Sequence, residues 1–280
     1  MKLEGWSMFY AAVGCACRDF SVSLELRSYN VKYIMKYAII AAGEGSRLMQ
    51  EGVQLPKPLV RVGGEHLVDR LIRIFLANKA DEIVVICNEQ MNDVAAHLRV
   101  VQRNGLVGKR VPLRIIVKRT PSSMHSLYEL SPYLHASPFV LTTVDTVFKE
   151  DEFALFVNSM NTALAAGDNG MMAVTGFVDD EKPLYVQTNN PPYISGFYDE
   201  LAPNCHYISA GIYGLTPQCL PVLKTCIERG ESRMRNFQRA LIANGMKLKA
   251  YVMGKVLDID HVSDINKAEK FLYEQRNCHL

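Results

Sequence analysis

The stretch from Tyr37 to Leu59, YAIIAAGEGSRLMQEGVQLPKPL, constrains the fold more than any other part of the chain. Its first six residues, Tyr37-Ala38-Ile39-Ile40-Ala41-Ala42, are an apolar run that ends at a glycine. That is the length and boundary of a strand buried on both faces, as a parallel sheet requires. Gly43-Glu44-Gly45-Ser46-Arg47-Leu48 follows at once. Glycines at 43 and 45 let backbone N–H groups turn toward an anion with no Cβ in the way, and Arg47 adds a fixed charge. Farther on, Pro56-Lys57-Pro58-Leu59 sets a lysine between two prolines, so its backbone is stiff and its ammonium is presented at a defined place. A glycine loop and two cations then face one polyphosphate.

A lone G-x-G is weak, because many strand-to-helix turns carry glycine for geometry only. The dinucleotide-binding pattern does not fit: Leu48 stands where the third glycine belongs, no helical periodicity starts directly after the loop, and no strand ends in an acid at the required distance. The Walker pattern fails for want of a Gly-Lys-Ser/Thr after Gly43.

Beyond the loop, apolar residues alternate between strand and helix spacing. Val60 to Gly64 reads as a strand and turn, and Leu67, Leu71, Ile74 and Phe75 recur at helical intervals. Glu82–Asn88 is a buried strand, Met91–Val101 a helix and Leu113–Val117 a strand. This alternation predicts a parallel sheet with right-handed crossovers. Ser122 or Ser123 is placed to cap the next helix.

Pro138–Val144 is a further strand, ending at Asp145. Ligands of open α/β sheets bind at the carboxyl ends of strands, so Asp145 is expected beside the glycine loop. It serves either as a cap or turn residue or, if other carboxylates join it, as a metal ligand. Asp258 and Asp260, in a strand that passes into the last helix, would point to one side because the side-chain period is two. Between these lie a helix over Phe153–Ala165, a strand over Met171–Phe177 and a hairpin or loop over Lys182–Phe197. His206–Leu215 is a strand whose Ser209-Ala210-Gly211 either admits a ligand to the backbone or forms a glycine bulge.

Ala42-Gly43-Glu44-Gly45-Ser46-Arg47-Leu48 together with Pro56-Lys57-Pro58-Leu59 resembles the signature of the nucleotidyltransferases that activate sugar phosphates and phosphorylated alcohols: A-G-G-x-G-T/S-R-L, a spacer, then P-K-P. It departs at Glu44, where many members have glycine. Ser46 and Ser126-Leu127-Tyr128 lean toward the phosphocholine cytidylyltransferase-like branch. Ser209-Ala210-Gly211-Ile212-Tyr213 is similar to the family's N-A-G-I-Y segment. The closing run from Asp258 to Glu269 is similar to D-x-D/G-T-P-x-D-L-x-x-A-E, with His261 and Val262 replacing Thr and Pro. Glu181-Lys182-Pro183 looks like the E-K-P of sugar members but precedes a strand where theirs follows one, and is not counted.

The resemblance implies a Rossmann-like (GT-A-like) α/β three-layer sandwich with a mostly parallel central sheet. It implies Mg²⁺-dependent transfer of a nucleotide from a nucleoside triphosphate to a phosphorylated sugar or alcohol, with release of pyrophosphate. Arg47, Lys57 and Asp145 would be catalytic, and Asp145, Asp258 and Asp260 would be metal ligands. Ala42, Gly43, Gly45, Ser46, Arg47, Lys57 and Ser123 would bind the nucleotide, and Ser209, Ala210, Gly211 and Tyr213 the acceptor. The alternative is a nucleotide- or sugar-phosphate-binding regulatory module that kept the fold and lost catalysis.

Composition narrows the remaining classes. Half of the 280 residues are apolar, enough for a sizeable core, and the net charge is +2 with no basic stripe, so nucleic acid is not the expected partner. Seven cysteines, with no C-x-x-C and no accompanying H-x-x-x-H, argue against zinc and against a disulfide scaffold; Cys87 and Cys219 read as core residues. No run is long enough to span a membrane, a cytoplasmic location is expected, and a homo-oligomer is allowed. Residues 1–34 read as an N-terminal extension, either disordered or upstream of the natural start at Met35, and 35–280 as the nucleotidyltransferase domain. Ala12-Val13-Gly14-Cys15 is only a faint lipoprotein box behind a short apolar run.

Overall fold

The computed structural model describes residues 33–179, 181–189 and 192–277, so the expected N-terminal extension falls outside it but for its last two residues. Strand β1 (Lys36–Ala41) enters the glycine loop, which opens helix α1 (Ser46–Gln50). A 3₁₀ turn at Lys57–Leu59 precedes a small hairpin, β2 (Arg61–Val62) and β3 (Glu65–His66). Then come α2 (Leu67–Ala77), β4 (Glu82–Cys87), α3 (Asn92–Asn104), β5 (Leu113–Val117), α4 (Ser123–Leu134), β6 (Phe139–Thr143), β7 (Thr146–Val147) and α5 (Glu150–Ala165). The second half contributes β8 (Gly170–Thr175), β9 (Tyr185–Thr188), β10 (Ile194–Tyr198), β11 (Cys205–Leu215), α6 (Leu220–Glu228), α7 (Met234–Ala243), β12 (Leu248–Met253), β13 (Leu257–Asp258) and α8 (Val262–Asn277).

One large sheet organises these elements. β6, β1, β4 and β5 pair in parallel, with Ala38 registered against both Val84 and Leu141. β11 adds antiparallel to β6 and carries β9 and then β10. β8 pairs antiparallel with β11 and parallel with β12. Helices cover both faces, which is the expected α/β sandwich.

The period of two is visible in β1 itself. Tyr37, Ile39 and Ala41 belong to the apolar layer shared with α2, α3 and α5, and Ala38, Ile40 and Ala42 to the layer shared with α4, α6 and α7. Each fully buried Ile or Leu contributes about 1.5–3 kcal/mol, so a strand with two buried faces gains from every residue. The first layer includes an aromatic stack in which Tyr37, Phe153 and Phe148 follow one another from Phe75 at centroid distances between 4.6 and 6.3 Å. Cys87 and Cys219 are fully buried, as expected. The described chain lies in one compact unit, Val31–Leu280.

Two expectations need correcting. A helix does follow the glycine loop directly, but α1 has five residues and buries only Leu48, too few to show a period. The strand and turn expected over Val60–Gly64 do form, as β2 and the Gly63-Gly64 turn, and among the described residues β2 and β3 pair with each other in a small sheet of their own. The strand carrying Asp258 is two residues long, so Asp260 lies beyond it and strand alternation does not set its direction. Helices α6 and α7 and strand β12 come from a stretch where the sequence reading assigned no elements.

Candidate active site

The site forms at the carboxyl ends of β1 and β6. Gly45 has φ +63°, and a Cβ there would stand 3.0 Å from the Lys57 Cβ. Only glycine takes that backbone without strain, and the close approach draws the Pro-Lys-Pro turn under the loop. Asn88, buried at the end of β4, donates to the Ala42 carbonyl at 3.3 Å and accepts from the Gln90 N–H at 3.0 Å. It steadies the point where the loop leaves the sheet.

Asp145 follows β6, held in place when the Val144 N–H donates to the Ile40 carbonyl at 3.0 Å. β7 and β13 then pair antiparallel, Thr146 against Asp258 and Val147 against Leu257, and the Ile259 N–H donates to the Asp145 carbonyl at 3.2 Å. This two-residue ribbon brings together carboxylates more than a hundred positions apart in the chain. Lys57 Nζ donates to Asp145 at 2.6 Å and to Asp260 at 2.7 Å, and Arg47 Nη1 donates to the other Asp260 oxygen at 2.9 Å.

The electrostatics follow from this arrangement. Burial works against the Lys57 charge, but Asp145 and Asp260 outweigh it and hold the ammonium above its usual range. Burial would likewise raise the Asp145 carboxyl; the charge and hydrogen bond of Lys57, with help from Thr143, hold it below. Asp258 has no ion-pair partner among the described residues. Its carboxyl is pushed up to about 7, by its recessed position first and then by the charge of Asp145, with a smaller push from Asp260 and a hydrogen bond from Thr146 pulling the other way. The residue is nonetheless exposed: it stands on the floor of an open cleft, so water weakens the desolvation and leaves the repulsion between like charges. A pair of facing carboxylates with oxygen donors only suits a hard divalent cation.

Two hollows meet at these acids. A cleft of about 780 Å³ is lined by Ala42, Gly43, Gly45, Lys57, Ser123 and Asp145, and also by Glu44, Arg119, Thr120 and Ser122. A second hollow of about 250 Å³ is lined by Arg47, Ser209, Ala210, Asp258 and Asp260, together with Phe177, Asp179, Glu181, His261 and Lys267. Other expected residues lie elsewhere. Ser46 is exposed at the start of α1 and lines neither hollow. Gly211, at φ +71°, forms a β-bulge that packs against Thr146, and Tyr213 is buried in the apolar layer with its hydroxyl pushed up to about 12 by burial.

Several residues in or beside the hollows were given no binding role by the sequence reading. Glu44, the departure from the signature, pairs with Arg119 at 3.2 Å. Arg119-Thr120 come one residue after the end of β5, at the ligand-binding edge, and that position was the available signal. Ser122 is the residue that caps α4. Glu181, set aside with its E-K-P triplet, approaches Arg47 at 3.5 Å and His261 at 3.6 Å. Glu51, at the end of α1, accepts from the Val262 N–H at 2.7 Å and lies 2.5 Å from His261 Nδ1, tying the glycine-loop helix to α8. Asp264 caps α8, accepting from the His261 N–H at 2.8 Å.

A glycine loop, a lysine that bridges Asp145 and Asp260, and Asp258 on the adjoining ribbon thus stand together at the carboxyl edge of a Rossmann-like sheet. Residues 37–244 match the family model described as the MobA-like NTP transferase domain, and the chain belongs to that family. The fold is similar to a putative glucose-1-phosphate thymidylyltransferase from Bacillus anthracis in complex with a sucrose, at 20% identity over 85% of this chain and 94% of that one, with a TM-score of 0.72. It is also similar to the inositol-1-phosphate CTP transferase from T. maritima, at 20% identity over 85% and 97% of the two chains, with a TM-score of 0.64. Comparison with curated protein sequences gives no match.

Proposed function

We propose that the protein joins a nucleoside triphosphate to a small phosphorylated acceptor, a sugar 1-phosphate or a phosphocholine-like alcohol phosphate, and releases pyrophosphate. The observation that carries this reading is the position of Asp145 and Asp258. The first lines the larger hollow and the second the smaller, and the β7–β13 ribbon holds them side by side.

The larger hollow falls within the roughly 300–1,000 Å³ of small-ligand sites and takes the triphosphate, with Gly43 and Gly45 beneath the phosphates and Lys57 balancing their charge, while Arg47 adds its charge from the smaller hollow, where the two meet. The smaller one takes the acceptor against Ser209 and Ala210. Gly211 and Tyr213 support that wall from behind. An acceptor phosphate oxygen attacks the α-phosphorus in line, the new P–O bond forms, and the bond to the pyrophosphate oxygen breaks. A phosphomonoester has its second pKa at about 6 and is already deprotonated at neutral pH. No general base is needed, and positioning and charge stabilisation carry the catalysis.

Asp145 and Asp258 would hold Mg²⁺. When bound, the ion neutralises charge on the reacting phosphates and orients them. Asp260 has another part: pinned by Lys57 and Arg47, it aims both cations. Of the three expected metal ligands, this reading keeps Asp145 and Asp258. A cytoplasmic location accords with substrates of this kind, and among the described residues no helix is long and apolar enough to cross a membrane.

The test is pyrophosphate release with each of CTP, UTP, GTP, dTTP and ATP, with and without Mg²⁺, against a pool of phosphocholine and sugar 1-phosphates. Release with one nucleotide, dependent on both metal and pool and lost in Asp145→Asn, is expected. Near-normal turnover by that variant would remove Asp145 from its assigned role. Thermal stabilisation by a nucleotide with no release from any combination would favour the binding module.

A further inference from the structure

We propose that His66, Asp69 and His97 form a second metal site, suited to a zinc-class transition ion and separate from the nucleotidyl-transfer centre. His66 directly precedes α2, Asp69 lies in its first turn, and His97 comes across from α3. His66 Nδ1 stands 3.0 Å from one Asp69 oxygen and His97 Nε2 stands 2.7 Å from the other. One donor atom from each residue lies within 4.8 Å of the other two. The imidazoles meet edge to face, with centroids 4.9 Å apart.

Two imidazoles and a carboxylate are the donor set of open zinc sites, in which a fourth position is left for water. Metal–donor distances of about 2.0–2.1 Å in a tetrahedron place donors about 3.3 Å apart. The two short contacts go to different Asp69 oxygens, so with one carboxylate oxygen as ligand one donor pair is a few tenths of an ångström short, and the other two, no more than 4.8 Å apart, close by at most about 1.5 Å, a side-chain adjustment. Nitrogen donors select zinc, cobalt, nickel or copper over magnesium, which prefers oxygen and water.

The side chains are 19%, 14% and 24% exposed, half-sheltered yet open enough for an ion to enter. None of the three residues lines either hollow of the transfer site.

The site has a mechanical consequence. The Leu67 N–H, next to His66, donates to the Val60 carbonyl at 2.9 Å, and the Val60 N–H donates to the Lys57 carbonyl at 3.1 Å. An ion clasping α2 to α3 thus braces the turn that presents Lys57. Without an ion, the same contacts would be a hydrogen-bonded trio in which both histidines donate to Asp69.

The test uses the full chain without an affinity tag, stripped with EDTA and titrated with Co²⁺. One equivalent is expected to bind with the visible absorption of a tetrahedral cobalt centre, to be displaced by Zn²⁺, and to raise the unfolding temperature. A variant with Asp145→Asn and Asp258→Asn should behave the same way, which keeps this result distinct from the fate of the transfer site. The double variant H66Q/H97Q should lose the absorption and bind at least about tenfold more weakly. No binding, equal binding by wild type and H66Q/H97Q, or an octahedral all-oxygen spectrum overturns the proposal. If H66Q/H97Q does not fold, X-ray absorption on the wild-type zinc complex decides: two histidine nitrogens support the site, and an oxygen-only shell refutes it.

Discussion

Asp258→Asn isolates the electrostatic tension in the site. The substitution keeps the shape and an oxygen that accepts from Thr146, and it removes one negative charge facing Asp145. In the folded protein the Asp258 carboxyl is raised from an ordinary 3.8 to about 7. A raised carboxyl contributes stability that is fully present below about pH 4 and is lost as pH climbs through about 7. At about 1.4 kcal/mol per pH unit the whole interval would amount to about 4 kcal/mol. The side chain opens to water, however, and screening reduces this to about 1–2 kcal/mol. For a domain of this size that corresponds to about 3–6 °C in unfolding temperature. Thermal unfolding followed by circular dichroism in EDTA should therefore show the two proteins nearly equal at about pH 4 and the Asn variant more stable by that margin at about pH 8. Saturating Mg²⁺ at the higher pH should stabilise the wild type and narrow the gap. A gap that does not change with pH, or an Asn variant less stable at the higher pH without metal, would refute the reasoning.

Two further outcomes follow from the geometry. Gly45→Ala combines a left-handed backbone, worth about 1–2 kcal/mol, with a Cβ 3.0 Å from that of Lys57. It should lower stability in urea titrations by that amount or more and reduce nucleotide affinity; unchanged affinity would mean the loop does not cradle the phosphates. The His261 imidazole is held above its ordinary range by Glu51, through their hydrogen bond first and its charge after that. NMR titration should find the His261 midpoint falling in Glu51→Gln, and a midpoint that stays put would show that the two are not paired in solution.

The sheet was legible from the chain because burial on both faces leaves runs of apolar residues. Lys36–Ala41, Glu82–Cys87 and Phe139–Thr143 stand within a residue or two of where their patterns place them. The glycine loop and the Pro-Lys-Pro turn were legible as well, since glycine and proline act on the local backbone regardless of what surrounds them. Helix α1 was too short to announce itself, and Glu181 lay in a triplet whose order argued against it.

What the chain alone determined was the inventory: a buried parallel strand, a glycine loop, two cations and three acids. The partnerships came from the tertiary fold. Lys57, Asp145 and Asp260 come from three segments far apart in the sequence, and only the β7–β13 ribbon and the close pass of Gly45 over Lys57 make them neighbours. The assembled fold also sets Asp258 apart from Asp260, although the two are only two residues apart. One faces another carboxylate and the other faces two cations, and a side chain's charge state depends on what the fold places beside it.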